Sequence, residues 1–444
     1  MRGLVLSLFM LGLLPTIFLH PYIGVLVYSW ISFMSPHKLT YGGMILGWPL
    51  ALIAALATLV TWFFSKEPKR LRFDATVWLI LAFAAVITIS TVFALNPKGA
   101  TDEWGMVIKE LLFVLVTIGL TTNRVRAHAL LWVMAVSIGF YGLYGGIGSI
   151  FHGGGATVYG PEDTAIYNNN DIGAGLLVAL PLMNYVRMQS ARMWIRLGWL
   201  VVMAASFLAI VSTYSRGALL GLVAVSIFLS LKSRNKIVTS IVVVSTLVAV
   251  FAFMPGQYAD RIRTIETYQQ DDSAMARIKI WGVAIRIAQD HPLVGGGFGV
   301  TESEKIVHQY RPGFDMHAVH NIFLGVLAEH GFIGLGIWLC LLFVGWFNAR
   351  WIQRSLRTRP DWQWASEFAR MCQVSFVGYC VVGFFGNYEY WDYYFTIIGL
   401  LAATRTMIER APLPRPIRRT AAAAALRQQP LLSIDSPTAS SQAT

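Results

Sequence analysis

Charge is scarce in this sequence. Only 13% of its 444 residues are Asp, Glu, Lys or Arg, while 56% are hydrophobic. An ordinary soluble domain carries about twice that share of charge, and a fold surrounded by water cannot hide so much apolar surface. Cysteine is scarcer still. Cys340, Cys372 and Cys380 all fall in or beside apolar segments, with no Cys-x-x-Cys spacing. A disulfide framework and a cysteine metal site are thereby excluded, and the three are expected to be small core residues. No Asp-x-Asp metal motif occurs in the polar loops, so neither a metal nor another cofactor is expected. A basic soluble domain is missing too. The net charge of +12 therefore does not point to nucleic acid; it reflects the Lys and Arg that collect in cytoplasmic loops of membrane proteins.

The chain instead offers a succession of apolar runs, at about 3–34, 43–64, 74–94, 105–121, 127–150, 171–188, 194–212, 217–231, 236–254, 320–347, 367–385 and 391–408. Many reach the roughly 18 residues needed to cross a hydrocarbon core of about 30 Å. The reading is an all-α polytopic membrane protein of about twelve spans. The first run is too long for one straight helix, so it is one kinked helix or two short ones broken near Pro21. Met1-Arg2 and the following apolar run resemble a signal peptide, but without a small-x-small cleavage site an uncleaved first span fits better.

Every second connection is basic: Lys66 to Arg72, Arg124 and Arg126, Arg187 to Arg196, Lys232 to Lys236, Arg350 to Arg359, and the tail from Arg410. Those connections are expected in the cytoplasm, with both termini. The loops near 95–104, 151–170, 213–216, 255–319 and 386–390 then face outward. The chain thus divides into membrane helices over 1–254 and 320–410, one large outward loop over 255–319 that suits a small helical cap, and a disordered cytoplasmic tail over 411–444.

The informative residues are cations on the outward side. Arg216 lies in the tight turn Ser212-Thr-Tyr-Ser-Arg-Gly217. Either it snorkels to headgroups, or its planar guanidinium clamps phosphate oxygens. The large loop adds Arg277 and Arg286 on a segment that reads as an amphipathic helix over 276–288, with Ile278, Trp281, Ile285 and Ala288 as its apolar stripe. At about 100° per residue the two arginines point to opposite sides, so they do not share one phosphate. The run Gly295-Gly-Gly-Phe-Gly299 is a turn, lacking the strand context of a nucleotide fingerprint. His317 and His320 stand where the loop re-enters the membrane. Two His three apart can ligate metal, but no third ligand is evident. A neutral imidazole at His320 can instead accept a proton from a sugar hydroxyl, and Asn321 can hold the loop or the sugar. Asn169 and Asn170, in Tyr167-Asn-Asn-Asn-Asp171, serve either as helix caps or as amides for sugar or pyrophosphate.

These residues fall into a pattern. Ala276-Arg277, Trp281, His291-Pro-Leu-Val-Gly-Gly-Gly-Phe-Gly299, His320-Asn321 and Leu327-Ala-Glu329-His-Gly331 together resemble the signature of the O-antigen ligases. Polymerases of O-antigen and bacterial protein O-oligosaccharyltransferases share that superfamily. Arg216-Gly217 and the Asn168–Asp171 cluster also resemble its motifs. The resemblance implies a GT-C-like fold of about twelve helices with a periplasmic cap in the bacterial inner membrane. It implies a metal-independent, inverting transfer of a glycan from undecaprenyl diphosphate to a sugar hydroxyl of lipid A-core. His320 would then be the base, Arg216 and Arg277 the diphosphate clamp, and His291 and Glu329 family positions of a supporting kind. A polymerase, a protein glycosylating enzyme or a lipid-linked glycan flippase are the alternatives. A flippase would place ionisable residues near the bilayer midplane.

Overall fold

The structure, a computed structural model, describes residues 2–40, 48–67, 69, 71–153, 157–162, 164–232, 244, 248 and 272–412. The regular elements described there are helical. Most of the span expected over 236–254, the large loop as far as residue 271 (with Arg261 and Arg263) and the tail from 413 lie outside the described residues. The chain divides into two units, residues 1–408 and 409–444. The helical bundle is the first of these.

Helices α1 (Arg2–Leu19) and α2 (Pro21–Met34) are separate elements. His20 between them is extended and Pro21 opens α2, a position that suits a residue without an N–H. Next come α3 (Leu50–Phe64), α4 (Ala75–Val92), α5 (Pro97–Leu120), α6 (Arg124–Phe151), α7 (Asn169–Gln189), α8 (Met193–Ser212) and α9 (Arg216–Lys232). The cap segment contributes α10 (Asp272–Asp290) and the short α11 (Glu304–Tyr310). Then α12 (Ile322–Ser355), α13 (Gln363–Gly383) and α14 (Asp392–Arg410) complete the bundle. Polar caps fix several starts: Asp74 accepts the N–H groups of Thr76 and Val77 at 3.0 and 3.1 Å, and Asn168 caps α7 in the same way.

Among the described residues four helices are long and apolar enough to cross a membrane: α4, α6, α8 and α12. Much of the bundle's outside is apolar, with Phe64, Trp78, Phe151 and Trp194 all exposed. Large side chains in such positions are costly in water and favourable in lipid. The fold is that of a helical membrane protein. Of the cysteines, Cys372 is buried and Cys380 half-buried, whereas Cys340 is exposed. Cys340 therefore departs from the core reading, because its part of α12 forms the rim of the bundle.

Hydrogen bonds sort the connections into two ends. At one end the basic connections meet: Arg126 pairs with both Glu67 oxygens at 2.8 and 2.7 Å, Arg124 reaches Gln189, and Gln189 donates to Glu367. At the other, cap end, the Leu95 N–H donates to the Gly296 carbonyl at 2.9 Å and the Val158 N–H to the Ser212 carbonyl at 3.2 Å. There the His320 N–H also donates to Asn387 Oδ1 at 2.5 Å, and Ser32 bonds Asp392. Gly3, near the start of α1, lies beside Thr40 and so also toward the cap end, while Tyr22 at the start of α2 bonds the Arg126 carbonyl at the basic end. The first apolar run is therefore a hairpin of two helices. The break at His20-Pro21 turns the chain back, so that the start of α1 at Arg2 lies toward the cap end.

The cap helix also differs from expectation. Ile278 and Ile285 are 48% and 41% exposed. Of the expected stripe Ala288 is buried and Trp281 packs inward; the buried cluster itself is Ile280, Val283, Ala284 and Ile287, packed with Val300, Ile306, Val307, Val319 and Ala328. Both stripes have helical spacing, and the partner surface on α11 and α12 decides between them.

Helix α12 breaks at Gly331, whose φ of 67° and ψ of −169° are not helical. An added Cβ there would lie 2.6 Å from the Pro292 carbonyl oxygen. Gly331→Ala is expected to destabilise by about 1–3 kcal/mol from the backbone conformation alone, seen as a lower thermal midpoint in detergent. An unchanged midpoint would show that the break is not a structural constraint.

Candidate active site

A helix that stops abruptly leaves carbonyls without intrahelical partners. The break at Gly331 does this to Ala328 and Glu329, and the glycine run supplies the donors. The Gly296 N–H reaches the Ala328 carbonyl at 2.8 Å and the Gly297 N–H reaches the Glu329 carbonyl at 2.9 Å. In return the Phe332 N–H bonds the Pro292 carbonyl at 2.9 Å. Gly297 has a φ of 83° and presses on Ala94, where a side chain would not fit. The Glu329 side chain completes the join: Oε1 accepts the Gly299 N–H at 2.9 Å and Oε2 accepts the Tyr390 hydroxyl at 2.5 Å. His291 takes part through its carbonyl, which accepts the Gly295 N–H at 2.9 Å. Glu329 and His291 are thus scaffold in this geometry.

His320 immediately precedes α12 in the left-handed region, with a φ of 51°. That conformation is strained for a non-glycine residue, and the bond from its N–H to Asn387 Oδ1 holds it there. Its imidazole Nδ1 is buried and, among the described residues, has no hydrogen-bond partner. Burial, then the charge of Arg277, then His317 lower its pKa from 6.5 to about 4, so the ring is neutral near pH 7. Arg277 also acts on the buried Tyr388 hydroxyl, whose pKa is raised well above its usual value by burial and by Asp171 and Glu389. Arg277, His317, His320, Asn387 and Tyr388 are therefore neighbours.

The remaining expected residues divide. The Arg216 turn is fastened at two points: Asn169 Nδ2 donates to the Thr213 carbonyl at 2.9 Å, and Gly217 stands against Phe385, where an added Cβ would lie 2.9 Å from Phe385 Cβ. Tyr214 in that turn has a φ of 53°. The turn thus shares the cap end with His320, and Arg216 is exposed there. Asn170 gives its N–H to Asn168, and Asn321 accepts from Phe323 and Leu324 at 3.0 and 3.1 Å. The cap of α7 is thus Asn168 and not Asn169 or Asn170, whereas Asn321 caps α12. Arg286 lies away from the group, exposed and bonded to the Tyr310 carbonyl at 3.1 Å. His317 is exposed and stacks edge-on to Phe314.

Beside His320 opens a cavity of about 650 Å³ that the sequence does not announce. Among the described residues its wall carries Glu103, Glu110, Glu302, Glu329, Glu389 and Asp392, and neither Lys nor Arg. Of these only Glu329 stands out in the sequence, through the family resemblance. The spans are also less free of charge than their composition suggests, since Glu110, Glu329 and Asp392 lie within helices, yet all three open on this cavity. Burial and then Glu103 push the Glu389 carboxyl up to about 8, against its own backbone hydrogen bond.

Comparison with known families adds two matches to this geometry. Residues 174–339 match the model of the O-antigen ligase family. That segment is thus similar to the O-antigen ligase superfamily. The match runs from α7 to the first half of α12 and includes Arg216, Arg277, His291, His320 and Glu329. Residues 1–191 match a family of unknown function, DUF5935. No curated protein matches the chain. Members of the superfamily are glycosyltransferase-like enzymes, so the chain is read as a membrane enzyme of ligase or polymerase type.

The scaffold reading of Glu329 predicts an asymmetry. Glu329→Gln keeps an acceptor for Gly299 and a group that can donate to Tyr390. Glu329→Ala orphans both buried groups, at about 1–3 kcal/mol each. The alanine variant is therefore expected to lower the thermal midpoint far more than the glutamine variant. Equal losses in the two would show that the carboxylate charge itself, and not its two bonds, is what matters.

Proposed function

We propose that the protein is an O-antigen ligase: it transfers a glycan from undecaprenyl diphosphate to a sugar hydroxyl of lipid A-core, without a metal. The acceptor hydroxyl gives its proton to His320. The freed oxygen attacks the anomeric carbon as the bond from that carbon to the diphosphate oxygen breaks. The diphosphate leaves with its charge held by Arg216 and Arg277. Stabilising a leaving group's charge is commonly the largest catalytic contribution, and general base assistance adds about 10²–10⁴-fold. A single displacement of this kind inverts the anomeric centre. The protein would cross the inner membrane about twelve times with its cap end in the periplasm, where donor, acceptor and membrane lipids meet; the basic end would face the cytoplasm.

The observation that carries this reading is the state of His320: neutral near pH 7, with an unpartnered Nδ1 among the described residues, beside Arg277. A base for a hydroxyl proton and a cation of the kind that binds phosphate are thus neighbours. The test is reconstitution with undecaprenyl-diphosphate glycan and lipid A-core, comparing wild type with His320→Ala and Arg216→Ala. Wild type is expected to cap lipid A-core, with each variant at least about 100-fold slower. A donor that lengthens while lipid A-core stays bare makes the protein a polymerase. Variants as fast as wild type would remove both residues from the chemistry.

The pH profile offers a separate check. The base works only when neutral, so transfer is lost as pH falls through the lowered His320 pKa of about 4, not through the ordinary 6.5. Removing the neighbouring charge in Arg277→Gln should move that acid limb upward. Burial, the larger cause, should still keep it below 6.5. A wild-type acid limb near 6.5 would mean that His320 is solvated, or that it is not the base.

A further inference from the structure

The acidic cavity supports a sharper statement, one that rests on the glycosyl-transfer reading. We propose that it is the acceptor subsite, and that it takes an uncharged or amine-bearing saccharide while rejecting one that carries phosphate or carboxylate where it enters.

Size and position come first. At about 650 Å³ the cavity falls within the range of small-molecule sites. Val319, which precedes His320, lines it, and so does Asn387, the residue that holds the His320 N–H. A saccharide in the cavity is thus next to the group proposed to deprotonate it.

Chemistry narrows the ligand. Six carboxyl groups, with no Lys or Arg among the described residues of the wall, offer an anion no counter-charge, whether or not the carboxyls are ionised. A diphosphate belongs elsewhere, on the side of Arg277 and Arg216. A metal ion fits no better: among the described residues, no three His, Cys, Asp or Glu are grouped to hold one. The carboxyls instead surround a space that also presents the Ser32, Ser35 and Thr301 hydroxyls, the Asn387 amide and the Tyr390 and Trp391 rings. Carboxyls and amides satisfy sugar hydroxyls or an amine, and rings cover a sugar's apolar face.

A second observation points to a missing donor. Glu389 is only 7% exposed, it lines the cavity, and its Oε2 has no hydrogen-bond partner among the described residues. An unsatisfied buried carboxyl oxygen is costly, and an O–H or N–H from a ligand would offset that cost. Moreover, Glu103, Glu110, Glu389 and Asp392 all lie outside the segment that matches the O-antigen ligase family. That segment carries the reaction, whereas most of the acidic wall is added by the rest of the chain. Such a wall is suited to choosing the acceptor.

The test uses full-length protein in nanodiscs and measures binding by saturation-transfer NMR, which does not require turnover. The probes are a glucosamine disaccharide, lactose and a glucuronic-acid-terminated disaccharide. The first two are expected to bind and the third not. Glu302→Gln, at an exposed wall position where folding is least at risk, should weaken the glucosamine disaccharide about tenfold, as loss of one charged hydrogen bond does. Arg286→Ala, at a position away from the cavity, should leave binding intact. Equal binding of the acidic disaccharide, or an unchanged affinity in Glu302→Gln, would overturn the proposal. Displacement of the bound disaccharide by undecaprenyl-diphosphate glycan, rather than by lipid A-core, would overturn the acceptor assignment. If the saccharides bind as expected while no lipid-diphosphate donor is ever used, the transferase reading fails and the binding site remains.

Discussion

The break of α12 at Gly331 is the constraint on which the rest depends. It frees the carbonyls of Ala328 and Glu329, and the glycine run of the cap takes them up. One glycine in a conformation closed to other residues thereby joins the cap to the membrane bundle. The same short stretch aims the Glu329 carboxylate at both Gly299 and Tyr390, which ties the connection before α14 into the joint. His320 and Asn387 stand on the two segments so fastened. If the joint loosened, their contact would go with it.

Within this frame the cap end is electrically divided. Arg277 acts on His320 and Tyr388, and Arg216 opens α9 at the same end. The other side is the acidic cavity. His320 lies at the boundary, with its neutrality maintained mainly by burial. A reaction between an anionic donor and a hydroxyl acceptor benefits from this division, because each partner is drawn to one side and kept off the other.

Much of the molecule is legible in the sequence. Apolar length and the alternation of basic loops follow from transfer free energies, so they predict which connections gather at each end. The spacing from Arg277 to Gly331 carries the family resemblance. Other features are not legible. The six carboxyls come from positions 103, 110, 302, 329, 389 and 392, which share no periodicity and meet only in three dimensions. The apolar stripe of α10 is ambiguous because Ile278 and Ile280 begin two stripes of helical spacing, and only the partner surface separates them. Pro21 marks a break in the first run, but not that the chain turns back there.

The most direct measurement of the central claim is the anomeric configuration of the transferred linkage, read from proton couplings in the product and compared with the donor. Single displacement by a hydroxyl activated at His320 predicts inversion. Retention would require a covalent glycosyl intermediate on the protein, and would contradict a single displacement at this site.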